Sequence, residues 1–374
     1  MHTIANKVDM KQMFWQVIFA KSSSPTAKRP ELHEKSDGQD NVSNFQNQKQ
    51  VVRQFYAALD AATPDRIEQV ITDHVAPGYI WRGYHPFGLL DTPASVAGRF
   101  WVPLRNALSR IQRRMDIFMA GDNFMDDGKT VWVASMGHLM GLFDRPWLGI
   151  QPTGRMVMLR YAEFHRIEDG KIAETTLYFD IPHLMVQAGL SPFPHQTAQH
   201  FIQPGPMTHD GVMLEPQDPA LGTATMAAMN AMISDLGQWK GGLPLEEELA
   251  RTWVDDMIWW GPEGIGATYT IPRYAAQHSG PFRAAFSDRS GTGHIARIAE
   301  GQFSGFFGWP NFTARLTGPF MGREPTGKMS EFRVIDMYRS KDGKLVENWV
   351  FIDLLHFWRL NGWDVLAELG LGED

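Results

Sequence analysis

One segment of this chain occurs twice. Residues 149-GIQPTGRMVMLRYAEFHRIEDGKIAETTLYFDIPHLMVQAG-189 return as 322-GREPTGKMSEFRVIDMYRSKDGKLVENWVFIDLLHFWRLNG-362. At a constant offset of 173 the two run without a gap for 41 positions, 14 of them identical. A repeat of this length means that one folding unit has been copied, so the sequence must be read as two similar domains. The length of 374 residues agrees, being too long for one ordinary core.

The repetition extends upstream. Val96, Phe100, Leu104 and Leu108 form a stripe four residues apart, and Tyr274, His278, Phe282 and Phe286 repeat it at an offset of 178. His278 thus takes the place of Phe100 and reads first as a packed histidine. Before this third helix each copy has helical spacing twice, at Val51 to Leu59 and 63–71, then at Met226 to Leu236 and 244–253. After it the period falls to two. Strands are expected over 111–120, 129–143, 155–167 and 171–180, and again near 292–307, 310–321, 328–340 and 344–353, with a closing helix at 181–189 and 354–361. Helices first and hairpin-linked strands after is an α+β order, and it implies an antiparallel sheet. The expected layout is a weakly structured lead-in over 1–44, domains at 45–190 and 220–370, and a Pro-rich linker at 191–219. His195, His200 and His209 in that linker fit no common metal spacing.

Composition narrows the function. The net charge of −7, without a dense Lys/Arg run, argues against a nucleic-acid partner. The absence of cysteine removes thiolate catalysis and Cys-ligated zinc. No apolar run approaches the roughly 18 residues that span a bilayer, and 13-MFWQVIFA-20 is short for a signal core, so no membrane partner and a cytoplasmic location are expected.

The run G-x-x-P-T-G, a strand, D-G-K-hydrophobic-x-E, an Asp and a short helix ending in Gly resembles the SnoaL-like polyketide cyclase family. The second copy is the nearer match, with Glu347, Trp349 and Asp353 in the family's E-x-W-x-x-x-D; the first has Thr176 in place of the Trp. The resemblance implies two tandem cone-shaped domains of the nuclear transport factor 2 and ketosteroid isomerase type, each a curved sheet wrapped on helices around an apolar pocket. It implies cofactor-free and metal-free acid/base chemistry, such as ring closure, on a small hydrophobic carbonyl ligand. Single-domain relatives pair through their sheets, so an internal pseudo-dimer or a homo-oligomer is also implied.

The family's catalytic Asp position falls on Leu177 and Val350, and its His position on Glu163 and Asp336. Neither copy keeps the Asp/His pair. What remains acidic is Glu163, with His165 two residues on, and Asp336, with Tyr338 two residues on. A three-residue hairpin loop with a bulge would set Glu163 across from Leu177 and Asp336 across from Val350. Two placements are open: an apolar pocket that raises the carboxyl pKa, or a solvent face or ion pair with Arg160 and Arg333. His138, His85, Trp81 and Trp260 are further candidates to line a pocket, with Arg315 as the counterpart of His138. Asp180-x-x-His183 and Asp353-x-x-His356 present a helix spacing that suits two metal ligands, but each Asp stands where a strand passes into a helix, and a capping role is expected. Loss of the Asp/His pair keeps a second reading alive, a ligand-binding or scaffold protein without chemistry.

Overall fold

The computed structural model describes residues 44–193, 197–199, 201–237, 242–291 and 293–371. The expected lead-in, with its apolar octet, and His195 and His200 lie outside the described residues.

The first domain opens with α1 (Gln46–Ala61), whose Val52, Phe55, Tyr56 and Leu59 are buried, and α2 (Ile67–His74). Strands β1 (Val75–Gly83) and β2 (Gly88–Leu90) follow. The third helix comes as α3 (Pro93–Val96), a π-helical turn at Ala97–Trp101, and α4 (Val102–Ala107). Then come β3 (Leu108–Asp122), β4 (Val131–Phe143), β5 (Met156–Glu168), β6 (Lys171–Phe179) and α5 (Ile181–Gln187). The sheet order is β2-β1-β6-β5-β4-β3.

The second domain repeats this plan. After α6 (Pro219–Gly237) and α7 (Leu245–Ala250) come β7 (Trp253–Trp260) and β8 (Ala267–Tyr269). Helix α8 (Ile271–Tyr274), a π-helical turn at Ala275–Ser279 and α9 (Gly280–Ala285) reproduce the interrupted third helix. Strands β9 (Phe286–Gly291), β10 (Ala296–Glu300), β11 (Phe303–Leu316), β12 (Met329–Lys341) and β13 (Lys344–Ile352) lead to α10 (Leu354–Leu360) and α11 (Val365–Glu368). The sheet runs β10-β11-β12-β13-β7-β8, with β9 also on β11. The architecture is α+β, two tandem domains.

Two expectations need correction. The sheets are not wholly antiparallel, since β1 lies parallel to β6 and β7 parallel to β13. The strand after the helical hairpin enters beside the last strand of its own domain, which runs the same way. In the second domain no strand ends near 307. The turn is at Gly301, where φ is +53°, and β11 continues through Pro310 by a register shift between Gly308 and Phe312. A proline inside a strand is tolerated at such a bulge.

Each β5–β6 and β12–β13 hairpin turns on a two-residue loop with both φ positive, Asp169-Gly170 and Asp342-Gly343, as a type I′ turn requires. A bulge one step inside each hairpin restores the register expected from a three-residue loop. Glu163 therefore faces Leu177 and His165 faces Thr175, while Asp336 faces Val350 and Tyr338 faces Asn348.

The outer sheet faces meet, with Trp132 and Phe164 packed on Phe307 at ring distances of 5.2 and 5.1 Å. Lys49 spans the domains to Glu300 at 2.5 Å, and the Ala120 amide donates to the other carboxylate oxygen. Segment 191–219 is tied to both sheets, through a bridge from Val212 to Phe118 and a bond from the Trp349 indole to the Pro204 carbonyl.

Candidate active site

Alternation along β5 and β12 turns Tyr161, Glu163 and His165, and likewise Val334, Asp336 and Tyr338, toward the helices of their own domain. The two interiors differ. In the first, Arg113 on β3 reaches across to Glu163 at 2.7 Å, and its guanidinium lies 3.9 Å over the Tyr56 ring. The Tyr56 hydroxyl is 3.1 Å from Nε2 of His165, and Nδ1 of that ring is 2.9 Å from the Thr175 hydroxyl. Glu163 and His165 are both at most 1% exposed. Burial alone would raise the Glu163 carboxyl, but Arg113 and then His165 outweigh it and hold the group below the ordinary carboxylate range. Of the two placements left open for Glu163, the geometry matches the ion pair, and the partner is Arg113 rather than Arg160.

Among the described residues of the second domain no such plug exists. Arg113 stands opposite Leu139, which faces Leu159. The matching positions are Gly291 opposite Phe312, which faces Phe332. Glycine puts no side chain into the cone, and a Cβ built there would meet nothing within 4 Å. A cavity of about 140 Å³ lies within this domain, lined by Asp336, Tyr338, Asn348, Tyr274, Trp259 and His278 among others. Its wall is largely aromatic and aliphatic, with Phe282, Phe306, Phe312 and Phe332.

Burial of Asp336 among these residues pushes its carboxyl up to about 7; hydrogen bonds from Asn348 and Tyr338, and the more distant Arg160, offset only part of the effect. The Asn348 amide donates to Asp336 Oδ1 at 3.2 Å and to the Met337 carbonyl at 3.0 Å, which fixes the carboxyl against β13. The Nδ2 group of Asn311, on the cavity wall, is buried without a hydrogen-bond partner. This arrangement can exchange a proton near neutral pH in a largely apolar chamber.

The other candidates lie elsewhere. His138 faces Arg160, on the face of the sheet opposite Glu163, and its Nδ1 is 3.3 Å from Asp116. Its expected counterpart, Arg315, instead faces Met329 and matches Leu142; the residue across from Arg333 falls within the 309–311 bulge. Trp81 is core, packed on Phe87 and Phe100. Trp260 gives its carbonyl to Arg160 and its ring stands nearly perpendicular to that of Phe201, while the neighbouring Trp259 is the indole on the cavity. Sequence reasoning also missed Arg113, Gly291 and Asn348. The signal available for the first two was an Arg and a Gly at one register position, hidden by a strand boundary misplaced in the second copy.

Asp180 and Asp353 are helix caps, accepting from the His183 and His356 amides at 3.3 and 3.1 Å. Each also reaches into the other domain. The second oxygen of Asp180 accepts from the Glu263 amide at 3.0 Å, and that of Asp353 from the His85 amide at 3.0 Å. His85 therefore lies at the domain contact, beside His356 and Arg359, and burial pushes its ring down to about 4.

Comparisons with known proteins bear on both halves. The family model described as SnoaL-like polyketide cyclase matches residues 117–188 and 307–359, once in each domain. Among solved structures, a candidate SnoaL-like polyketide cyclase from Jannaschia sp. CCS1 is 24% identical, with 40% of this chain and 96% of that chain covered at a TM-score of 0.32. An NTF2-like protein from Burkholderia xenovorans LB400 is 15% identical, covering 37% and 97% at a TM-score of 0.31. A second NTF2-like protein, from Burkholderia thailandensis E264, is 22% identical, covering 38% and 96% at 0.28. A search of curated proteins gave no match. With one match in each of its two similar halves, the chain is a tandem SnoaL-like protein.

Proposed function

We propose that the second domain is an acid/base site for a small hydrophobic carbonyl compound, with Asp336 as the proton-transferring group. The observation that carries this reading is a buried carboxyl, titrating near 7, on the wall of an aromatic cavity. The ionised form of Asp336 takes a proton from the carbon beside the carbonyl, leaving an enolate. The enolate either attacks a second carbonyl of the same molecule, closing a ring whose alkoxide oxygen takes the proton back from Asp336, or takes that proton back itself at another carbon. Asn348 and Tyr338 hold the carboxyl in place through both steps. No step draws on a metal or cofactor.

For the first domain the scaffold reading is favoured, because Arg113 and Tyr56 occupy the interior around Glu163. The two domains, assigned to 45–190 and 220–370 with 191–219 between them, act as an internal pseudo-dimer. The reciprocal contacts of Asp180 and Asp353 support that assignment.

The test is exchange of the α-protons of 2-tetralone in D₂O, followed by proton NMR with the whole chain. Exchange faster than in buffer, lost in Asp336→Asn but kept in Glu163→Gln, is expected. Equal rates in wild type and Asp336→Asn at every pH between 5 and 9 would remove Asp336 from the chemistry.

A further inference from the structure

Behind the cavity of Asp336 lies a second space of about 130 Å³, bordered by Ile265, Gln277, Pro281, Phe320 and Met321. His278 lines both spaces. Resting on the reading of the first cavity as a ligand site, we propose that the site is bipartite. The reacting carbonyl end of the ligand sits beside Asp336 at the mouth of the passage, where the imidazole of His278 hydrogen-bonds its oxygen, and an apolar extension runs past His278 into the second chamber.

The first domain shows what this region looks like when it is closed. At the shared offsets, Phe87, Phe100 and Trp147 stand where the second domain has Ile265, His278 and Phe320. Those three rings are buried and mutually packed, with Phe87 4.9 Å from Phe100 and 6.0 Å from Trp147. In the second domain all three have become smaller, and space has appeared. The change replaces apolar core by an opening lined with one imidazole.

His278 is also held as a ligand-contacting group would be. It sits in the π-helical turn, a local widening of the helix that is common at functional sites. Its ring stacks flat on Trp259 at 3.9 Å, with Tyr274 and Phe282 at 5.5 and 5.8 Å. The indole can lie in that position because residue 261 is glycine; a Cβ there would fall 1.9 Å from it. Among the described residues the ring nitrogens of His278 have no hydrogen-bond partner. Burial pushes its pKa down to about 3, so the ring is neutral at working pH and presents one N–H donor and one acceptor. Each chamber has room for on the order of ten waters, the scale of a fused two-ring head and a short aliphatic tail.

The experiment measures binding of three probes to the full chain by naphthyl fluorescence: 2-acetylnaphthalene, its 6-hexyl derivative, and 2-ethylnaphthalene, which lacks the carbonyl. Wild type is expected to hold the hexyl ketone about tenfold or more tighter than the short ketone. Gln277→Trp, which fills the second chamber, should bring that ratio close to one. His278→Phe keeps the stacked ring without its nitrogens, and should weaken the short ketone by about fivefold relative to 2-ethylnaphthalene. A wild-type ratio near one, or a ratio untouched by Gln277→Trp, overturns the second chamber. An equal loss for ketone and hydrocarbon in His278→Phe overturns the hydrogen bond. If the short ketone binds but the hexyl group adds nothing, the inference fails and the reading of Asp336 stands. If none of the three binds, both fall.

Discussion

Glu163 and Asp336 hold the same register position in their sheets, opposite Leu177 and Val350, yet only Glu163 touches a cation. Both are buried, so the desolvation cost has the same sign in each. What separates a carboxylate held ionised from one that titrates near 7 is Arg113, and its replacement by Gly291 at the matching position.

That difference sets a pH dependence of stability. Because burial raises the Asp336 carboxyl from 3.8 to about 7, the folded chain keeps a proton that the unfolded chain releases between those values. Its contribution is therefore full below about pH 4 and is lost as pH rises to about 7. Asp336→Asn should leave stability nearly unchanged at pH 4 and raise it at pH 8, by at most about 4 kcal/mol. Asp353, also raised to about 7, gives the variant a remaining slope of the same sign. Urea unfolding at pH 4, 6 and 8 measures the gap, and a gap that does not widen with pH contradicts this account.

Arg113→Met strands a buried carboxylate. The expected loss is about 3–5 kcal/mol, most of it regained in the double variant Arg113→Met/Glu163→Gln, where no uncompensated charge remains. Guanidinium unfolding of the three proteins checks this. Losses that simply add would show that the pair is not coupled.

Gly291→Arg should transplant the plug. With a guanidinium reaching Asp336, the carboxyl falls toward the ordinary range and the cavity loses its volume, so binding of 2-acetylnaphthalene should drop by at least about tenfold. Carbon-13 NMR of labelled aspartates reads the first effect and fluorescence the second. A variant that binds the ketone as wild type does would show that Gly291 is not what keeps the cone open.

Asp180→Ala and Asp353→Ala each remove a helix cap and a bond to the other domain. Each should cost about 1–3 kcal/mol, against at most a few tenths for an exposed residue such as Glu246→Ala. Thermal unfolding of the three variants settles the ranking.

The repeat made the tandem plan and the α+β class legible, since 14 shared residues in 41 carry the hairpin, its turn and the capped helix. The pairing of Glu163 with Leu177 and of Asp336 with Val350 was legible for the same reason. The contents of the two interiors were not. Arg113 and Glu163 are 50 residues apart, and a long-range ion pair leaves no periodic mark. Pro310 also broke the pattern of β11, which hid the correspondence between Gly291 and Arg113. His278 was visible as a departure from an apolar stripe, but an imidazole in a stripe looks the same whether it packs or opens a passage.

The pair Arg113 and Gly291 also says something about why the copies are joined. Two separate chains of one sequence, paired by a two-fold axis, must carry the same residue at each equivalent site; both halves are sealed or both are open. Encoding the halves in tandem lifts that constraint. One half is free to be a rigid brace, its interior spent on internal salt bridges and stacked rings. The other is free to keep a hollow, leaning on its sibling for the backbone amide that braces the cap of α10.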